Sequence, residues 1–439
     1  MYFFERNEAY TKRIACIDDT GKGYTYEELW DMGDVLIGNI VPRTLVLLQC
    51  SNDAESLAKY LAYLRRRCPV ILMGKGIDAS LVEGMKETYG FAGGAITAGN
   101  DPIASVPVSE ELALLLSTSG STGAQKLVRL SYDNLQSNCN SIVEYLGITD
   151  TERPITTLPM EYTYGLSVIH SHLAVGATII LTNKTLFNAE FWDMVERYAV
   201  TSMAGVPYTY AMFERLRLRE MDLPHLKTLT QAGGHLKPDL QETYARWAAE
   251  TGRRFFVMYG QTEATARMSY LPPERCLDKL GSIGIPVPGG KIELENDGEL
   301  VYYGPNVSLG YATCKEDLAK ADEHHGRLET GDMGYKDEEG FFYISGRKKR
   351  FIKLQGKRIS LDHVQEVLQK EFAVDDIVCT GEDDKVVIVW TTENLDEDQV
   401  LSLFEEKMGI RSRMIEIKTL AKIPRNSSGK VVYKELQEA

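Results

Sequence analysis

Short apolar runs recur along the first part of the chain, separated by stretches whose apolar positions repeat at helical spacing. Leu45-Val46-Leu47-Leu48 predicts a buried strand, Glu55 to Leu64 a helix, and Val70-Ile71-Leu72-Met73 a second strand. Strand, helix and strand at this spacing form a βαβ unit of a parallel sheet. Leu114-Leu115-Leu116 predicts the end of another strand. Beyond it the pattern predicts a helix over Asp133 to Leu146, a strand near Ile155 to Leu158, a helix from Gly165 to Leu173 and a strand at Thr178 to Leu181. Another round covers Phe191 to Tyr198, Ser202 to Val206 and Ala211 to Leu216, with strands again at Leu226 to Gln231 and Phe255 to Tyr259. The fold class is α/β, with mostly parallel strands in a large N-terminal domain.

After Pro286-Val287-Pro288-Gly289-Gly290 the texture becomes β-rich. Lys291 to Leu294 and Glu299 to Tyr302, joined at Asp297-Gly298, predict a hairpin. Thr330-Gly331-Asp332 and Phe341 to Ile344 continue this β-rich subdomain. A small α+β tail follows, with a helix over Leu361 to Phe372 capped by Ser360, a strand at Val386 to Trp390, and a closing basic loop, Pro424 to Lys430. We place the domain boundary close to Lys349, giving domains 1–348 and 349–439.

A length of 439 residues suits about two or three domains. With 44% hydrophobic and 26% charged residues, a core forms without disulfide or metal staples. A net charge of −14 argues against a nucleic-acid surface, so the basic run Arg347-Lys348-Lys349-Arg350 reads as local chemistry. The seven cysteines are scattered, with no pair at metal or redox spacing, and read as reduced thiols. The N-terminus lacks the apolar stretch of a signal peptide, and no window approaches the roughly 18 apolar residues of a membrane span. The expectation is a cytoplasmic protein.

Three polar or Gly-rich segments follow strands, where α/β sheets bind ligands. The first, Thr118-Ser119-Gly120-Ser121-Thr122-Gly123 with Lys126, has the glycines, hydroxyls and cation of a phosphate cradle. The same composition also suits a flexible linker. No Gly-Lys-Ser/Thr opens a helix here, so it is not a Walker loop. The others are Gln231-Ala232-Gly233-Gly234-His235 and Tyr259-Gly260-Gln261-Thr262-Glu263. Taken singly, Asp332 reads equally as a turn aspartate, Glu263 as a charge at a helix N-terminus and Lys430 as a solvated lysine.

In order along the chain, these segments resemble the motifs of the adenylate-forming (AMP-binding) superfamily, which includes acyl-CoA synthetases, peptide-synthetase adenylation domains and beetle luciferases. The series runs through Ser117 to Lys126, Leu158-Pro159-Met160 with Tyr164-Gly165-Leu166, Tyr259 to Glu263, Gly298-Glu299-Leu300, Gly310-Tyr311, Thr330-Gly331-Asp332, Gly346-Arg347, Gly356-Lys357-Arg358-Ile359 and Gly429-Lys430. The resemblance implies that a carboxylate attacks the α-phosphate of ATP, giving acyl-AMP and pyrophosphate. A thiol, of CoA or of a carrier protein's phosphopantetheine, then takes the acyl group. It implies that the Thr118–Lys126 loop holds the β- and γ-phosphates, that Thr262 contacts the α-phosphate, and that Glu263 holds Mg2+. Gly233, Gly234 and Tyr259, with Gly260, would frame the adenine, and Asp332 would accept the ribose hydroxyls with Arg347 beside it. Lys430 would bridge the attacking carboxylate and the α-phosphate. The C-terminal domain would be a mobile lid, hinged at Lys349, with Gly356 lining the thiol tunnel after rotation.

This chain departs from the family pattern in places. Gln125 stands where Pro is usual and Leu127 where Gly is common, which implies altered rigidity at the loop's exit. Glu161-Tyr162-Thr163 replaces a Phe-His pair, so Tyr162 takes the gate position of the acyl pocket beside Gly165, with Tyr208 and His235 as further candidates. Core packing is an equal reading for Tyr208 and Met212. The slot of the aspartate that pairs with an amino-acid substrate holds Thr163, which disfavours such substrates. The short N-terminal region implies a trimmed subdomain. A carrier-protein loading enzyme is the alternative function. Asp332, Glu263 and Lys430 together speak against a non-catalytic nucleotide-binding module.

Overall fold

The computed structural model describes residues 1–90, 107–117, 126–354, 357–383, 385–408, 410–425 and 431–437. The chain forms two compact units, Met1–Ile292 with Tyr302–Leu328, and Glu293–Val301 with Glu329–Ala439. Lys349, the sequence-based boundary, lies inside the second unit.

One sheet of the first unit carries Val46–Cys50, Val70–Gly74, Leu112–Ser117, Leu127–Ser131 and Gly310–Ala312, side by side in that order. The first three are parallel, and the last two joins are antiparallel. The expected βαβ unit is present. Its helix, Ala54–Arg65, starts where the Asp53 side chain accepts from Ser56 N–H, and it buries Leu57, Leu61 and Leu64 against the sheet. The other sheet has Pro154–Ile155, Ser202–Gly205, Thr228–Gln231 and Arg254–Tyr259 parallel at its centre. Ser269–Leu271 and Ser282–Pro286 extend it antiparallel on one side. On the other side lie Ile179–Ile180, Ile14–Ile17 and Gly23–Thr25. The expected strand at Ile155 to Leu158 is shorter than the pattern suggested. It ends at Ile155, after which Thr156 continues the contact by donating its hydroxyl to the Thr182 carbonyl at 3.1 Å.

The strand Arg327–Lys336 pairs antiparallel with Phe342–Arg347, and within the second unit Asp332 lies opposite Arg347. The predicted Asp-Gly turn is present: Gly298 has φ +86° and Glu299 N–H donates to the Asp297 carboxylate at 3.1 Å. The C-terminal part holds the helix Leu361–Phe372, capped by Ser360, and a sheet of Ile377–Gly381, Val387–Thr391 and Ile415–Thr419. These elements close their own core around Val364, Leu368, Ile377 and Val389. All seven cysteines are free, and among the described residues no helix is long and apolar enough to cross a membrane.

Candidate active site

Parallel register brings three loops to one edge of the central sheet. Gly205 lies beside Gln231, and Gln231 beside Val257, so the strands end level at Val206-Pro207, Ala232-Gly233-Gly234 and Tyr259 onward. Gln231 is fully buried and donates its amide to the Gly234 carbonyl at 2.9 Å, which fixes the Gly233-Gly234 turn. At Gly233, φ is +83° and a Cβ would overlap the Tyr162 hydroxyl, so only glycine lets that tyrosine reach the backbone. Tyr162, Val206, Gly233, Gly234 and Pro207 therefore meet at one place. Gly165 lies in the helix Thr163–Leu173, where a Cβ would overlap the Pro159 carbonyl. Tyr208 is 59% exposed on the helix Pro207–Arg215, His235 is exposed, and Met212 is buried in the core.

The segment after Tyr259 is a strained turn. Gly260 crosses the Ala266 carbonyl where a Cβ would overlap it, and Thr262–Ala264 form a single 3-10 turn. Thr265 and Ala266 follow at φ +54° and +100°, conformations that cost non-glycine residues of order 1–3 kcal/mol each. Buried hydrogen bonds hold them there. Asn306 donates to the carbonyls of Ala264 at 2.8 Å and Arg267 at 3.0 Å, and Thr265 donates its hydroxyl to the Asn306 carbonyl at 2.7 Å. Ser308 N–H donates to the Glu263 carbonyl at 2.8 Å. The turn thus presents Thr262 and Glu263 from a fixed backbone. Thr163 donates its hydroxyl to Thr262 Oγ1 at 3.1 Å.

Tyr311, on the strand Gly310–Ala312, donates its hydroxyl to Glu263 Oε1 at 3.0 Å, and burial followed by that carboxylate pushes the phenol pKa up. On its ring lies Lys126, with Nζ 3.1 Å from the centroid. The last residue of the Ser/Thr/Gly stretch is thereby tied to the Tyr259–Glu263 motif. Thr118, Ser119, Gly120, Ser121, Thr122 and Gly123 lie outside the described residues, as do Gln125, Gly356 and Lys430. The strand ends on either side are fixed, because Ser117 pairs with Leu127. Leu127, a departure from the family pattern, starts a strand and is fully buried beside Leu45, Ile71 and Ala312.

Consecutive side chains of the Glu161-Tyr162-Thr163 segment reach different neighbours. Glu161 packs on Gly74 and Cys50, where burial raises its carboxyl pKa. Tyr162 meets Gly233, and Thr163 meets Thr262. Sequence reasoning assigned no part in the site to Asn306, Arg129 or the Tyr311 hydroxyl. Arg129 had a visible signal, a cation inside the apolar run Leu127-Val128-Arg129-Leu130.

The family described as AMP-binding enzyme matches residues 44–312, well over half of the chain. The chain belongs to that family. This AMP-binding enzyme is 30% identical over 346 residues to a 2-succinylbenzoate–CoA ligase of Bacillus cereus strain Q1, covering 75% of this chain and 70% of the relative. It shares its fold with O-succinylbenzoate coenzyme A synthetase (MenE) from Bacillus subtilis in complex with AMP, at TM-score 0.81 and 22% identity, covering 100% and 98% of the two chains. ATP-bound MatB from Rhodopseudomonas palustris is similar at TM-score 0.76 and 22% identity, covering 99% and 97%.

The second unit of this AMP-binding enzyme holds its own cluster. Asp332 is 1% exposed, and Arg347 Nε pairs with its carboxylate at 2.6 Å. Lys348 binds Asp297 at 2.8 Å and Glu299 at 2.6 Å, while Glu299 accepts Gly331 N–H at 2.9 Å. Arg350 binds Asp362 and donates to the Cys379 carbonyl at 3.1 Å. Three residues of the basic run are engaged in ion pairs, the local chemistry that the overall charge suggested. Lys349, between these anchored residues, is exposed. For a magnesium ion, the described residues offer the half-buried Glu263 and no cluster of three or more ligating side chains. That fits an ion held mainly by triphosphate oxygens, since Mg2+ is usually bound by one or two carboxylates plus substrate phosphates.

Proposed function

We infer that this AMP-binding enzyme activates a carboxylic acid with ATP and passes the acyl group to CoA. An oxygen of the acid attacks the α-phosphorus and pyrophosphate leaves. The CoA sulfur then attacks the acyl carbonyl and AMP leaves. The observation that carries this reading is the rigid turn presenting Thr262 and Glu263 at a strand end, joined through Tyr311 to Lys126. These groups suit charge stabilisation, the main task in phosphoryl chemistry.

In this reading Lys126 and the Thr118–Gly123 stretch hold the outer phosphates, and Thr262 donates to the α-phosphate. Gly233, Gly234, Tyr259 and Gly260 frame the adenine, and Asp332 takes the ribose hydroxyls beside Arg347. Glu263 would hold magnesium, which would neutralise charge on the phosphates. Lys430 serves the first half-reaction only, and Gly356 lines the thiol path in the second. The domains are 1–348 and a lid, 349–439, that turns about Lys349. The anchoring of Arg347 and Lys348 on one side and Arg350 on the other supports that pivot.

Tyr162 and Gly165 bound the acyl pocket, with Tyr208 and His235 at its margin, and an aryl or short acid is the substrate class. 2-Succinylbenzoate heads the panel to be tested, because a relative is named for it. A carrier protein is the alternative acceptor. The cytoplasm is the proposed location, supported by seven cysteines without a disulfide. Lys430→Ala should abolish acid-dependent pyrophosphate exchange yet spare thioester formation from supplied acyl-AMP. Equal loss of both would contradict a lysine confined to the first half-reaction.

A further inference from the structure

Lys126 and Glu263 carry opposite charges and both touch Tyr311, yet neither forms an ion pair with any described residue. Tyr311 stands between them. Its ring face carries the ammonium, and its hydroxyl donates to the carboxylate at 3.0 Å. A lysine in direct contact with the carboxylate would cancel the charge that each must offer to a metal–nucleotide complex. An aromatic face attracts an ammonium while leaving it open to an incoming anion on its other side. A phenol donor fixes one carboxylate oxygen and leaves the other available, as hydrogen-bond partners of metal-binding carboxylates do.

The tyrosine is itself held with unusual completeness. Its backbone pairs with Val128 in the sheet. Arg129 is fully buried and donates Nε to the Tyr311 carbonyl at 3.1 Å and Nη2 to the Leu309 carbonyl at 2.7 Å. The same guanidinium donates to the Lys320 carbonyl at 2.7 Å and the Glu323 carboxylate at 2.6 Å, closing the loop behind the strand. A buried guanidinium demands such full pairing, and in return it makes the strand's position hard to change. His324 packs edge-on against the Tyr311 ring, with centroids 5.7 Å apart.

We propose that Tyr311 is a positioning residue for the adenylation step, a wedge that aims Glu263 with its hydroxyl and seats Lys126 on its ring while keeping the two charges apart. The proposal rests on the reading of Glu263 as the metal carboxylate, and the test separates the two. Tyr311→Phe keeps the ring and removes the donor, whereas Tyr311→Leu removes both. Binding of Mn2+ to the enzyme with a non-reactive α,β-methylene analogue of ATP is followed by electron paramagnetic resonance, together with steady-state constants for Mg2+ and ATP.

Tyr311→Phe should weaken Mn2+ binding and raise the half-saturating Mg2+ concentration by about tenfold or more, with KM for ATP at saturating Mg2+ within twofold of the parent. Tyr311→Leu should in addition raise KM for ATP at saturating Mg2+ by about three- to tenfold. Glu263→Gln should weaken Mn2+ binding further, and adding Tyr311→Phe to it should change nothing more. Unchanged Mn2+ binding in Tyr311→Phe, with weakened binding in Glu263→Gln, would overturn the wedge and leave the metal reading standing. Unchanged binding in Glu263→Gln would overturn the metal reading itself. A uniform loss of rate in both tyrosine variants, with no change in either constant, would reduce Tyr311 to a packing residue.

Discussion

Asn306 has its amide committed in both directions: it accepts from Tyr302 at 2.8 Å and donates to the carbonyls of Ala264 and Arg267. Those carbonyls belong to the turn that forces Thr265 and Ala266 to positive φ. Asn306→Ala would leave the buried Ala264 carbonyl without that donor, and we expect it to cost about 2–3 kcal/mol by urea unfolding, the usual penalty for an orphaned buried group. A loss under about 0.5 kcal/mol would mean that the turn holds itself. Gly233 is the second such position. In Gly233→Ala the new methyl must displace the Tyr162 hydroxyl and adopt φ +83°. Acid-dependent pyrophosphate release should fall at least tenfold in this variant, and a parent-like rate would show that the Tyr162–Gly233 approach is dispensable.

At the scale of elements, the strands and helices with strong periodicity were legible from sequence. The helix Leu361–Phe372 was predicted to the residue, because Ser360 caps it and its apolar stripe is unbroken. The helices Tyr26–Ile37, Ala79–Tyr89 and Pro238–Glu250 were not anticipated. Helix Ala79–Tyr89 buries only Met85 and Tyr89, so its apolar stripe is too thin to read. Helix Tyr26–Ile37 carries a capping box at Thr25 and Glu28, a local signal that could have found it. Among site residues, those in glycine-rich motifs were legible, because close backbone approach leaves a mark in sequence. Asn306 acts through long-range hydrogen bonds, which leave none, whereas Arg129 shows only as a cation inside an apolar run.

The helix Thr163–Leu173 carries two buried histidines. His170 stacks on Phe3 with centroids 4.0 Å apart and shares a hydrogen bond with the Tyr60 hydroxyl at 2.9 Å. Burial lowers the pKa of His170 to about 3 and that of His172 to about 4. Both stay neutral in the fold, while an unfolded histidine takes a proton below about 6.5. Their contribution to stability is therefore intact above that pH and is lost as pH falls toward 4, by about 1.4 kcal/mol per pH unit for each ring. His170→Phe should make the pH dependence of unfolding near pH 5 shallower by about one proton. An unchanged slope would contradict a neutral buried His170.

For the molecule as a whole, the family and the reaction class follow from the series of motifs and from the fold that orders them. The first unit presents an edge where three strand ends lie level, and the second holds the Asp332–Arg347 pair. In the proposed reaction ATP is cleaved to AMP, not ADP, and only when a carboxylic acid is present. The most direct test incubates the protein with ATP, Mg2+, CoA and a panel of acids led by 2-succinylbenzoate, and measures AMP, pyrophosphate and thioester together by mass spectrometry. At least one acid should yield AMP, pyrophosphate and acyl-CoA in equal amounts, and omitting CoA should leave acyl-AMP. Formation of ADP and phosphate, or release of AMP that no acid changes, would contradict it.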